Sequence, residues 1–158
     1  MSISLRLLGT VLLLLIAPSC QRRVKYVTPL QGAPIVLRAE VSDGEDWVVE
    51  FFKPEYVDEP VFFGEAHFFK LGKVELLDQS ERGYQVFFEV VESERVGFYD
   101  FTKTMVKHRV AFEVDGEIYS VPWLDTALRG NGIIGGGESG LTIVEANDII
   151  ATLEGVGG

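Results

Sequence analysis

The stretch Arg129–Thr142, RGNGIIGGGESGLT, can be read as either of two folds. Gly130, Gly132 and Gly135 spell G-x-G-x-x-G, the pattern with which a strand, a tight turn and a helix wrap a dinucleotide. That reading needs a strand before the first glycine and a helix beginning inside the motif, so that helix amides meet the pyrophosphate. The segment before Gly130, LDTALR, has no strand-like run, and the first helix signal falls at Thr142. No Lys-Ser or Lys-Thr pair follows to make a P-loop. The other reading is a short strand at Ile133–Ile134, flanked by glycines that let the chain turn before a final helix. We adopt this second reading, which implies an α+β domain and no nucleotide or other cofactor.

The flanking sequence agrees with it. In LTIVEANDIIATLEG, Thr142 and Glu145 form a capping box, each side chain meeting the other's backbone N–H. Ala146, Ile149, Ile150 and Leu153 share one apolar face, and Gly155 stands where a left-handed cap ends the helix. Upstream, RVAFEVDGEIYSV places Asp115-Gly116 between two alternating runs, the mark of a two-residue hairpin turn. Its register puts Val110 opposite Val121, Phe112 opposite Tyr119 and Val114 opposite Glu117. Pro122-Trp123 ends the hairpin.

Earlier in the chain, YQVFFEV alternates Val86, Phe88 and Val90 on one face, with Gln85, Phe87 and Glu89 on the other. KVELLD precedes it as a second strand, across the loop QSERG. Phe98, Phe101 and Met105 recur at helical spacing, which predicts a helix over about Glu94–Val106 with Thr102 and Lys103 facing away. IVLRAEV and WVVEFF read as a hairpin across the polar SDGED loop. VDEPVFFGEAHFFKLG, with its apolar residues in pairs, fits either a turn of helix or an irregular segment. The expected core comprises Val86, Phe88, Val90, Phe98, Phe101, Met105, Phe112, Tyr119, Ile149, Ile150 and Leu153. The resulting architecture is an antiparallel sheet with two helices packed on one face, ferredoxin-like in outline.

The first twenty residues, MSISLRLLGTVLLLLIAPSC, set the compartment. The apolar run Leu7–Ile16 is too short for a membrane helix, which needs about 20 residues, and suits the core of a secretory signal. It ends at Ala17-Pro18-Ser19-Cys20, which resembles a bacterial lipobox, although Ala17 stands where leucine is usual and Pro18 is uncommon. The resemblance implies a signal peptide over residues 1–19 and lipidation of Cys20, the chain's only cysteine. Residues 20–34 then form a tether, with Arg22, Arg23 and Lys25 placed to meet lipid headgroups, and residues 35–158 form the domain. Gln21 rather than aspartate after the cysteine favours the outer membrane by resemblance to Gram-negative sorting rules. With 24 acidic against 14 basic residues and a net charge of −10, the chain repels phosphate backbones, so nucleic acid is not an expected partner.

From about Val57 to Gly155 the chain resembles the head portion of the first periplasmic domain of bacterial SecD, the export-motor subunit. An ordered series carries the resemblance: DEPVFFGEAHFFKLGKVEL, YQVFFEV, FYDFTKTM, VAFEVDGEIYSVPWL and LRGNGIIGGGESGLTIVEANDIIATLEG. Asp115, Gly116, Ser120 and Pro122 fall at the family's hairpin positions, and Glu145-Ala146 and Leu153 at its helix positions. The resemblance implies the head fold and a polypeptide-handling surface, without the family's channel helices or their membrane-embedded acids. Trp123, where the family has a smaller apolar residue, and the local glycine differences place a candidate partner surface at Trp123, Gly135, Gly136 and Gly137. The expected partners are a membrane, through the lipidated N-terminus, and an exported polypeptide or an envelope complex. The expected location is the cell envelope, with the domain facing the periplasm.

Two other functions compete. A hydrolase would have to draw on His67, His108 and scattered carboxylates, yet neither histidine sits in a zinc motif, His67 between its phenylalanine pairs reads as a partly buried polar residue, and no G-x-S-x-G is present. A small-ligand or metal sensor could use SDGED, but that loop lacks the spaced ligands and terminal glutamate of a calcium site. The expectation is a non-enzymatic protein with no catalytic residues and no metal site.

Overall fold

A computed structural model describes residues 28–42, 46–136 and 139–156. The lipobox, Cys20, the basic cluster, Asp43–Glu45 of the SDGED loop and Gly137 lie outside the described residues.

Eight strands and two helices follow one another as β1 (Ile35–Val41), β2 (Val49–Phe51), β3 (Val61–Phe69), β4 (Leu71–Asp78), β5 (Tyr84–Val90), α1 (Arg95–Thr104), β6 (Val110–Val114), β7 (Glu117–Ser120), β8 (Asn131–Gly135) and α2 (Ile143–Glu154). The class is α+β, with every strand pair antiparallel. Two sheets form rather than one, in the orders β2-β3-β1-β6-β7 and β4-β5-β8.

The main core lies between the inner faces of the two sheets, with both helices packed on this one side. Ile35, Leu37, Val110, Phe112 and Val114 come from the larger sheet, and Val86, Phe88, Val90 and Ile134 from the smaller. Phe98 of α1 and Ala146, Ile149 and Leu153 of α2 complete it. Phe98 meets Phe69 and Phe88 edge-on, at 5.0 and 6.1 Å between ring centres, the arrangement that aromatic quadrupoles favour. Each fully buried side chain of this size contributes about 1.5–3 kcal/mol, so the phenylalanines carry much of the stability. Of the expected core, Phe101, Tyr119 and Ile150 are only partly buried.

The C-terminal signals form as read. Thr142 Oγ1 accepts from the Glu145 N–H, the Glu145 carboxylate accepts from the Thr142 N–H at 2.8 Å, and Gly155 takes φ 74°. Asp115 and Gly116 turn the β6–β7 hairpin at φ 49° and 83°. Val114 pairs with Glu117 as expected, but Phe112 pairs with Ser120 because a bulge leaves Tyr119 unmatched.

Four further expectations need correction. IVLRAEV and WVVEFF do not form a hairpin: β3 lies between β1 and β2 and pairs with both. VDEPVFFGEAHFFKLG is neither helical nor irregular, since β3 runs through it. Its alternation is hidden by a bulge, a three-residue step from Phe63 to Ala66 opposing the two-residue step from Arg38 to Glu40. Phe63 and Phe69 consequently enter different apolar clusters, although a regular strand would place them on one face. Thr102 does not face away but is fully buried, its hydroxyl donating to the Phe98 carbonyl and accepting from the Leu128 N–H at 3.0 Å. His67 is exposed and stacks on Phe101 with 4.4 Å between ring centres, rather than being partly buried.

The outer face of the larger sheet is also covered. Phe51, Val57, Phe63, Ala111, Ile118 and Val121 form a second cluster beneath the turn that follows β2. The Arg38–Glu113 ion pair, 2.6 Å from Nε to Oε2, lies on this face and is almost wholly desolvated. Residues near the start of the described chain also pack on the domain. The Leu30 N–H donates to the Leu71 carbonyl and the Ala33 N–H to the Thr152 carbonyl, at the C-terminal end of α2.

Candidate functional site

At the opposite end of α2, a cleft of about 1260 Å³ opens between the two sheets. Its walls come from the turn Phe52–Asp58, the end of β7 at Ser120–Pro122, β8 at Ile133 and Gly135, and Glu145 of α2. Phe52 and Ile133 stand 52% and 45% exposed there, so the cleft offers apolar surface that the fold leaves unburied.

Local chemistry shapes this wall. Pro54 comes three residues after the end of β2, and the chain closes into a turn in which the Tyr56 and Val57 N–H groups donate to the Lys53 carbonyl. That turn sets Tyr56 edge-on to Phe51 and lays Lys53 Nζ over the Tyr56 ring at 5.9 Å. Across the cleft, β8 leaves its ladder after Gly135, which pairs with Gln85. Pairing resumes only at Leu141, opposite Tyr84. The glycines make this excursion feasible: a Cβ on Gly136 would lie 2.3 Å from the Gly140 carbonyl oxygen, and Gly140 itself takes φ +69°.

Both sheets end at this place. β7 borders the larger sheet and β8 the smaller, and no described strand pairs with the outer edge of either. The orientation of the β8 edge follows from its ladder. Tyr84 and Leu141 exchange both backbone bonds, at 2.9 and 2.8 Å, and the Val90 N–H donates to the Gly130 carbonyl at 2.8 Å. Antiparallel bonding alternates, so the even-numbered residues of β5 bond to β8. Asn131, Ile133 and Gly135 therefore turn their N–H and C=O groups away from β5, to the open side.

The cleft rim carries both signs of charge. Glu55, Asp58 and Glu145 face Lys53 and Arg109. Lys53 lies 3.6 Å from Glu117, and the Arg109 guanidinium donates to the Val121 carbonyl at 3.3 Å. Burial, reinforced by Glu145, Glu55 and Glu117, raises the Tyr56 hydroxyl above its ordinary pKa. Burial and the neighbouring Glu117, which accepts its hydrogen bond, push Tyr119 up to about 12. Both phenols are thus neutral hydrogen-bonding groups at physiological pH. The Thr142 backbone N–H, then its hydroxyl, holds Glu145 below the usual carboxylate range. Among the described residues, no three of His, Cys, Asp and Glu converge to hold a metal ion.

Of the surface anticipated from sequence, the structure brings Gly135 and Gly136 into the cleft. Trp123 is half exposed beside it, bridged to Arg109, whereas its neighbour Pro122 lines the wall. Sequence reasoning missed Phe52, Tyr56 and Arg109. Only the Lys53-Pro54 stop after β2 marks that a turn begins there.

Fold and cleft together define a class: a small α+β domain in which two antiparallel sheets share one core and open a cleft between unpaired strand edges. Structural comparison finds this fold in SecDF. The chain is similar to a crystal structure of SecDF in its super-membrane-facing form, with 15% identity and TM-score 0.56, over 78% of this chain and 19% of that one. It is also similar to a structure of SecDF described as a membrane component that enhances protein export, with 16% identity and TM-score 0.53, over 78% of this chain and 63% of that one. The chain thus spans less than two thirds of either relative, and at these identities the likeness establishes the fold. No family model matches the chain, and no curated protein matches it in sequence. No helix among the described residues is long and apolar enough to cross a membrane.

Proposed function

We propose that this is a non-enzymatic, lipid-anchored envelope protein whose domain binds polypeptide in the cleft between β7 and β8, in the service of protein export or envelope assembly. One observation carries the reading: the cleft combines unburied apolar side chains, Phe52 and Ile133, with free strand edges, on a fold shared with SecDF. Extended chains are recognised by such combinations, main-chain bonds supplying affinity and side-chain pockets supplying selectivity. The lipobox-like Ala17–Cys20 segment supports the anchor. Geometry supports its use: the described chain begins at the C-terminal end of α2, while Glu145, near the other end of this 12-residue helix, lines the cleft. A helix of that length spans about 18 Å, so an N-terminal anchor would present the cleft away from the bilayer, toward the periplasm.

A photocrosslinking residue at position 133, in intact cells, tests the reading. It is expected to trap exported chains or envelope proteins, while the same probe at position 76, on the outward edge of β4, traps few. Equal yields from the two positions refute the cleft as the binding site. Palmitate labelling, lost in Cys20→Ser, tests the anchor separately.

A further inference from the structure

We infer that the cleft takes its polypeptide as an added β-strand, a cationic extended segment that hydrogen-bonds along the outer edge of β8. The inference rests on the polypeptide reading above and specifies how the chain is held. Asn131, Ile133 and Gly135 present backbone donors and acceptors at strand spacing with no described strand hydrogen-bonded to them. Another extended backbone is the group that satisfies such a row. Ile133 lines the same cleft, so an added strand would place alternate side chains against Ile133 and the Phe52–Tyr56 wall. β8 is also unprotected: Asn131, Gly132, Ile133, Ile134 and Gly135 carry no charge and no proline, the devices that usually block edge pairing. β4, the other edge of the same sheet, carries Lys73, Glu75 and Asp78.

Charge selects the occupant. Glu55, Asp58 and Glu145 outnumber Lys53 and Arg109 around the cleft, Lys53 is already engaged by Glu117, and the whole chain bears −10. A segment alternating apolar and basic residues fits both the apolar wall and this excess.

The test uses a fluorescein-labelled nonapeptide of alternating valine and lysine, measured by anisotropy against residues 20–158. Two further peptides carry backbone N-methyl groups on alternate residues, one on each of the two sets. An added strand turns only one set of N–H groups toward β8, so one methylated peptide loses at least about tenfold in affinity while the other binds like the parent. Equal effects on the two peptides, whether both tolerated or both lost, overturn edge pairing. Binding that is tolerant of both leaves the broader polypeptide reading standing, whereas no binding by the parent peptide removes both. Replacing lysine by glutamate is expected to weaken binding at least about tenfold, and unchanged affinity overturns the choice of a cationic segment. Amide exchange on the unmodified protein provides a readout that needs no variant. Saturating peptide is expected to slow exchange at Asn131, Ile133 and Gly135 and leave Gly132 and Ile134 unchanged, and the absence of new protection refutes the inference. Ile133→Pro, which removes one outward donor without taking a bond from β5, is expected to abolish binding, while Ile133→Thr keeps the asymmetry between the methylated peptides.

Discussion

Alanine substitution at two glycines, Gly132 and Gly97, should move stability in opposite directions. Gly132 sits in β8 against the ring of Phe88, and a Cβ there would lie 2.6 Å from Cζ and 2.8 Å from Cε1. Phe88 is fully buried and cannot swing clear, because Phe98 and Phe112 hold it with ring centres at 6.1 and 5.8 Å. Overpacking of this kind costs about 1–3 kcal/mol. The stiffer unfolded chain returns about 0.4–1 kcal/mol. Gly132→Ala should therefore destabilise by about 1–2 kcal/mol, a drop of about 4–8 °C in Tm for a domain of this size. Gly97 lies exposed in α1 with nothing within 4 Å of a Cβ, so Gly97→Ala should stabilise by about 0.5–1 kcal/mol. Urea titration followed by tryptophan fluorescence, together with calorimetry, measures both. Phe88→Leu in the Gly132→Ala background should recover part of the loss, with a coupling of about 0.5 kcal/mol or more. A neutral Gly132→Ala, or shifts of the same sign at both glycines, refutes the claim that Gly132 of the glycine motif makes room for an aromatic core.

Thr102→Val keeps the shape but leaves the Leu128 N–H without its acceptor, and should cost about 1–3 kcal/mol by urea titration, whereas Thr102→Ser should cost less. Breaking the Arg38–Glu113 pair from one side, as Glu113→Gln, should destabilise by several kcal/mol. Replacing both residues together, as Arg38→Met with Glu113→Leu, should cost far less, and a double-mutant cycle that shows no coupling contradicts the account. Glu145 has a folded-state pKa below its ordinary value, so its cap stabilises fully above that ordinary value and the benefit is lost as pH falls through the folded value. The Tm difference between wild type and Glu145→Ala should accordingly be constant from about pH 7 to 5.5 and vanish in strong acid. A difference that survives there would assign the effect to helix propensity instead.

Where a single local rule governs the backbone, the sequence was legible. The Thr142–Glu145 box, the left-handed Gly155 and the Asp115-Gly116 turn each depend on residues within a few positions of one another, and all three form as read. The glycine motif likewise resolves into a strand because no helix begins within it. Of the cleft, only its glycine side was visible. Phe52, Tyr56 and Arg109 reach it from distant parts of the chain, and neither composition nor periodicity reports such a convergence.

The chain's own pattern thus determined the α+β class, both helices, the β6–β7 turn and most of the buried aromatic layer, because helical caps and alternating faces are short-range consequences of backbone geometry. Tertiary structure decided the rest. Bulges at Phe63–Ala66 and at Tyr119 shift residues between faces only when a partner strand sets the count, so strand alternation there is unreadable in isolation. The intrusion of β3 between β1 and β2, the burial of Thr102 and the division into two sheets arise for the same reason. Each depends on which distant backbone satisfies a row of hydrogen bonds, and that choice is made by the whole core at once.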